Sequence, residues 1–224
     1  MIVTTEAIVL RARKQGETSK IVTLYTRQFG KVQTIAKGAR ESKSKFGGAL
    51  EMFARSSVVF YKREKHDALH LLSKAETIDS HARILRSLKK METAMSLVEL
   101  MFHAMHDEEA NSDLFDLLAG TLRAIAESDE ASAPLLQLRF YLRFVKEMGF
   151  ELDLSETDRT SSREASPRLL ELLRRVEKTE ETPALTEQEY RQLRSFFQAY
   201  FAEHVPGVSL HTMRSATVFG QLTP

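Results

Sequence analysis

The chain predicts an α+β, multidomain protein: a small closed β-barrel at the amino end followed by a mainly α-helical domain. Two observations carry that prediction. Through residue 80 the apolar residues alternate with period two in short runs broken by turn residues, and beyond it they recur about every 3.6 residues. The charge divides at the same place, because residues 1–80 hold 15 Lys and Arg against 8 Asp and Glu, a surplus that the acidic remainder almost cancels to a net +1 over 224 residues. The predicted domains are therefore 1–80 and 81–224.

Taken in order, five strands are expected: Glu6 to Arg13, Ser19 to Thr26, Lys31 to Lys37, Met52 to Lys62 and Ala68 to Ile78. Gln15-Gly16-Glu17-Thr18 and Arg27-Gln28-Phe29-Gly30 are tight connections, while the third runs long, up to Gly47-Gly48. Five antiparallel strands of this length close as a partly open barrel of the oligonucleotide/oligosaccharide-binding (OB) type or of the related SH3-like type, and the first is the expectation. In the helical part, Met95, Val98, Met101, Phe102 and Met105 mark a buried helix, and Ser112-Asp113 offers a cap for the next. Pro134 opens a helix that Gly149 stops, another follows Pro167, and Thr186 with Glu189 is a capping-box signature for a helix ended by Pro206-Gly207. A short closing helix is expected over Leu210 to Leu222, and the polar stretch 153–166 reads as a loop.

The third strand and the loop after it carry the chemistry. Alternation puts Val32, Thr34 and Ala36 on one face and Gln33, Ile35 and Lys37 on the other, and Gly38 turns the chain. Lys31, Lys37, Arg40, Lys43 and Lys45 then form a cationic surface for backbone phosphates, with Arg11, Arg13, Lys14 and Lys20 as additions. Five phosphate contacts on a single strand predict a salt slope of about −3.5. Tyr25, Phe29, Phe46 and Tyr61 are candidates for stacking on bases, with Tyr25 and Tyr61 equally suited to packing.

No apolar run approaches the roughly eighteen residues of a membrane helix, and the first residues lack a basic leader with an apolar stretch, so the expectation is a cytoplasmic, nucleoid-associated protein without membrane contact. The chain has no cysteine, which removes disulfides, thiolate zinc sites and a catalytic thiol. Glu99, His103 and His106, with Asp107 or Glu108, are the one grouping that could serve acid-base or metal chemistry, but no second carboxylate-histidine pair or glycine-rich loop accompanies them. No cofactor is expected.

The spacing of Ala7-Ile8-Val9-Leu10, Arg13, Glu17-Thr18-Ser19-Lys20-Ile21-Val22, Leu24, Thr26, Gly30-Lys31-Val32, Ala36-Lys37-Gly38-Ala39-Arg40, Ser44, Leu50 and Phe53 resembles the RecO family of recombination mediators. A thinner likeness continues from Leu138-Arg139-Phe140 through Met148-Gly149-Phe150-Glu151-Leu152. The resemblance implies an OB barrel and a helical domain that bind single- and double-stranded DNA and anneal complementary strands without catalysis. It also implies RecR, the acidic C-terminal tail of single-strand binding protein and, indirectly, RecA as partners. For that tail, an apolar pocket on the helical domain is expected, rimmed by Arg123, Arg139, Arg143 and Lys146. Many members place a four-cysteine zinc site after the Gly-Phe segment, where this chain has Glu151 to Arg159 and no thiol, so a zinc-free member is expected. Met52 stands where the resemblance implies proline. The competing reading is an adaptor whose barrel binds an acidic protein.

Overall fold

A computed structural model describes residues 1–63, 69–150, 167–178 and 185–209. The expected closing helix at Leu210 to Leu222 and the polar loop at 153–166 lie outside the described residues.

The amino end forms a closed barrel in the order β1-β2-β3-β5-β4, with β1 also paired to β4, which is the OB-type architecture. β1 (Ile2–Gln15) is long enough to serve two neighbours: its first half pairs with β4 (Arg55–Tyr61) and its second with β2 (Ser19–Thr26). β3 (Gly30–Ala36) runs antiparallel to β2, and β5 (His70–Asp79) pairs with β4 and closes on β3 in parallel through Thr34↔His70 and Ile35↔Leu71. The register of β1 and β2 shifts between Val9 and Arg11, and this bulge bends β1 where it passes from one partner to the other. It also resets the alternation. Val9 points into the barrel core, Leu10 enters the helical core, and Ala12 packs inward again.

The barrel interior is filled by Val9, Val22, Leu24, Val32, Val58, Phe60 and Leu72. A one-turn 3-10 helix, Gly47–Leu50, closes one end by burying Phe46, Ala49 and Leu50 there. The fourth strand therefore starts three residues later than expected, at Arg55. Met52 and Phe53 belong to the turn before it, and Phe53 takes a left-handed φ of 69°.

Among the described residues five α-helices follow: α1 (Leu88–Ala104), α2 (Ser112–Glu127), α3 (Ala133–Glu147), α4 (Pro167–Lys178) and α5 (Glu187–His204). Their ends obey local chemistry. Ser87 caps α1 by accepting the Lys90 N–H, and Asn111, one residue ahead of the expected Ser112-Asp113, caps α2 by accepting from Leu114. The Thr186/Glu189 capping box is present at α5, and Gly149 (φ 75°) ends α3 with Phe150 N–H donating to Val145 O at 3.0 Å. α3 and α5 meet through Phe140, Tyr141, Phe144, Phe197 and Phe201, all fully buried. Gln137, also buried, donates to the Tyr141 hydroxyl at 2.8 Å and to Ser96 Oγ, and accepts from Tyr190. That network ties α1, α3 and α5 together with its polar atoms satisfied.

Barrel and helices share one core. Ile8, Leu10, Tyr25 and Phe53 of the barrel belong to the same apolar cluster as α1, α2, α3 and α5. This explains why Tyr25, on the face of β2 turned away from the barrel interior, is fully buried. Around that core runs a charged seam, since the connection after α1 presents Asp107, Glu108 and Glu109 to the basic barrel. Glu108 lies 2.8 Å from Lys62 and 3.3 Å from His70 Nε2, its N–H donates to Lys31 O at 2.9 Å, and Arg27 pairs with Asp116. Gly30 (φ 62°) sits so close to this turn that a Cβ there would lie 2.0 Å from Glu109 O. The glycine in Gly30-Lys31-Val32 is thus required by domain docking as well as by its own backbone.

Candidate nucleic-acid interface

β3 follows the predicted alternation: Val32, Thr34 and Ala36 are buried and Gln33 is exposed on the outer face, while Lys37, expected on the strand, is exposed in the turn just past its end. Beyond Gly38 the basic loop is folded onto the β1–β2 turn. Arg40 N–H donates to Thr18 O at 2.9 Å, and its guanidinium donates to Gly16 O at 2.8 Å and Glu17 O at 2.7 Å. Successive turns through Glu41, Ser44 and Gly47 lead to Phe46, whose burial in the barrel anchors the far end of the loop.

The cations divide by what already holds them. Lys37, Lys43 and Lys45 of the loop, with Arg11, Arg13 and Lys14 of β1, are exposed and form no ion pair among the described residues. Lys45 lies over the Phe46 ring at 5.2 Å. Arg40, also exposed, has two of its donors committed to carbonyls and acts first as a brace between two turns. Lys20 is half-buried against Glu51 at 3.1 Å. Lys31 is corrected outright: its ammonium donates to Phe102 O at 2.8 Å, lies 3.3 Å from Asp107 and sits over the Phe102 ring, so it holds the seam instead of facing solvent. Without a partner 76 residues away, a lysine at the start of a strand reads as exposed.

Of the stacking candidates, Tyr25 and Phe46 are buried and Phe29 is committed to packing. Tyr25 is 0 % exposed, packs on Phe115, and its hydroxyl donates toward Asn111 O at 3.3 Å, with Met105 Sδ at 3.6 Å. Burial, reinforced by Glu109, pushes its phenol up. No base can reach it with the seam closed. Phe46 is in the barrel core, and Phe29 is half-buried, edge-on to Phe60 and under Lys62. Tyr61 stays exposed at 45 %, but on β4, beside the amino-terminal half of β1.

One aromatic escaped the sequence reading. Phe102, in the run Met101-Phe102-His103 that reads as buried helix, is only partly buried and forms the wall of a cleft against the outer face of β1, β2 and β3. Arg11, Arg13, Ile21, Thr23 and Gln33 line the rest of a space of about 250 Å³. Alternation on β1 signals the two arginines. The helix opposite them is visible only in the fold.

On the helical domain, a cleft of about 240 Å³ between α2 and α3 is lined by Leu117, Ala124, Leu136 and Phe140 among others, with Arg139 and Arg143 on it and Asp116 at its edge. Two of the four expected rim residues are therefore brought together. Arg123 instead faces Asp79 of the barrel at 3.8 Å, and Lys146, exposed near the end of α3, does not line the cleft. The Glu99, His103 and His106 grouping forms no cluster able to hold a metal ion among the described residues. A four-thiolate zinc site has no ligand in a chain without cysteine.

Comparison with known proteins agrees with this architecture. Residues 1–81 match the family model described as recombination protein O N terminal, and residues 85–204 match recombination protein O C terminal. Among curated relatives, the DNA repair protein RecO of Chlorobium limicola is 36 % identical over 154 residues, 69 % of this chain and 58 % of that protein. That of Syntrophus aciditrophicus is 37 % identical over 65 % of this chain and 55 % of its own length, and that of Salinibacter ruber 38 % over 62 % and 54 %. The match thus spans somewhat more than half the length of these relatives. With a barrel and a helical domain matched in turn over most of the sequence, the chain belongs to the RecO family.

Proposed function

We propose that this protein is a non-enzymatic mediator of recombinational DNA repair that binds single- and double-stranded DNA through its barrel and anneals complementary strands. With RecR it would help RecA load on strands coated by single-strand binding protein. The observation that carries the binding reading is the group of six exposed cations, Arg11, Arg13, Lys14, Lys37, Lys43 and Lys45, that have no carboxylate partner among the described residues and lie on one loop and on β1. Family membership supports the repair role, since the relatives named above are DNA repair proteins.

The surface suits annealing because its cations lie on an exposed loop and strand, where they meet phosphates and leave most base edges of a bound strand open. Phosphate contacts position a strand without reading it, so binding follows salt and ignores sequence. The α2–α3 cleft, lined by Leu117, Leu136 and Phe140 with Arg139 and Arg143, and with its one carboxylate, Asp116, already paired to Arg27, suits an acidic tail ending in apolar residues, and we assign the contact with single-strand binding protein to it. An annealing assay with complementary strands coated by that protein tests the proposal. Faster annealing that falls with rising salt supports it, while binding to an acidic protein with indifference to oligonucleotide supports the adaptor instead.

A further inference from the structure

We propose that the cleft between the barrel face and Phe102 is a subsite for one unpaired nucleotide, so that the DNA site is built by both domains and distinguishes single strands from duplex. The inference rests on the barrel-binding reading above and goes further, because the basic loop alone would grip either form.

Strand register places the lining side chains in rows. Arg11, Thr23 and Gln33 are cross-strand partners on the outer face, and Arg13, Ile21 and Ile35 form the row beside them. None of the six residues lining the cleft is acidic, and neither arginine has an ion-pair partner among the described residues. Phe102 closes the far side as a preset wall: Arg11 Cζ lies 5.5 Å and Lys31 Nζ 5.3 Å from its ring centroid, and Lys31 is itself fixed by Phe102 O and Asp107. A base entering the cleft meets an aromatic ring, a guanidinium against that ring, and the apolar face of Ile21, while the amide of Gln33 and the hydroxyl of Thr23 suit any base edge. Gln33 lies on the outer face of β3 and Lys37 one residue past the strand's end, four residues on, so the cationic loop begins within about 13 Å of the cleft along the chain. Duplex DNA presents its phosphates to the loop but has no free base for the cleft.

The chain contains no tryptophan, so Phe102→Trp makes a sole-tryptophan reporter inside the cleft. It is titrated with a mixed-sequence single strand and with the matching duplex while anisotropy of labelled DNA reports binding independently. The single strand should change the emission about twofold along the anisotropy isotherm, and the duplex should bind with the emission almost unchanged. Single-strand binding with a silent tryptophan, or an equal response to duplex, overturns the proposal. Phe102→Leu guards against a reporter that perturbs the fold: it should lower the preference for single strand over duplex about fivefold or more and leave the salt slope unaltered, since no charge is lost. An unchanged preference overturns the cleft while leaving the loop's role standing. Absence of any anisotropy change with the unaltered chain removes both.

Discussion

Replacing Lys37 and Lys43 together by glutamine isolates the phosphate contribution of the loop, because both side chains are exposed and the turns around them are held by the Arg40 brace and by buried Phe46. Each phosphate neutralised on a single strand contributes about 0.7 to the salt slope, so the six exposed cations give a slope of about −4 and the double variant about −3. At about 0.1 M salt each contact is worth roughly fivefold, so the pair costs about 25-fold, or about 2 kcal/mol. The deficit should itself depend on salt, reaching about 65-fold near about 0.05 M and shrinking to about tenfold near about 0.2 M. Anisotropy of a labelled mixed-sequence oligonucleotide over that range measures slope and deficit together. A deficit that stays constant with salt would mean that the substitutions damage the fold, and no deficit would remove the loop from the interface.

Three further outcomes follow from the seam and the helical cleft. Gly30→Ala should lower the unfolding free energy by more than about 2 kcal/mol in urea titration, because it adds left-handed strain to a Cβ that would lie 2.0 Å from Glu109 O; a change within about 0.5 kcal/mol would sink the docking argument. Burial holds the imidazoles of His70 and His103 below their usual pKa, partly offset at His70 by Glu108 and reinforced at His103 by Lys31 and Arg11. The unfolded chain therefore binds more protons at mildly acid pH, so their contribution is complete above about 6.5 and is lost as pH falls below it. His70→Gln should flatten that decline between pH 7 and 5 in urea melts, and an unchanged slope would refute His70's share. Arg143→Glu should weaken binding of an acidic peptide with an apolar C-terminus about tenfold or more with no change in oligonucleotide affinity, and an equal loss of both would refute separate sites.

How much of this was legible in the sequence depended on how far away the deciding atoms lay. The face of β3, the capping box at Thr186, the stop at Gly149 and the cationic loop are set by residues within a few positions, and they stand in the fold where the pattern puts them. The number of strands and the closed OB-type barrel were legible as well, because five short runs with one long third connection leave few ways to close, whereas the parallel closure of β5 on β3 appears only in the fold. Lys31 and Tyr25 were misread because their fate is decided by Phe102, Asp107, Asn111 and Phe115, more than 70 residues on. A strand lysine beside a glycine looks solvated, and a strand tyrosine looks like a platform, until a second domain covers them.

The seam also alters what the basic amino end means. Part of its excess charge serves docking: Lys31, Lys62 and Arg27 meet Asp107, Glu108 and Asp116 of the acidic part, so the opposite charges of the two halves act first on each other. What remains for a polyanion is the subset that the acidic turn after α1 does not reach, on the loop and on the outer face of β1. The split in charge therefore has two consequences from one cause. Opposite fields draw the domains together at Gly30 and Tyr25, and the uncompensated cations lie beside that contact, which is why the helical domain's Phe102 can stand next to them.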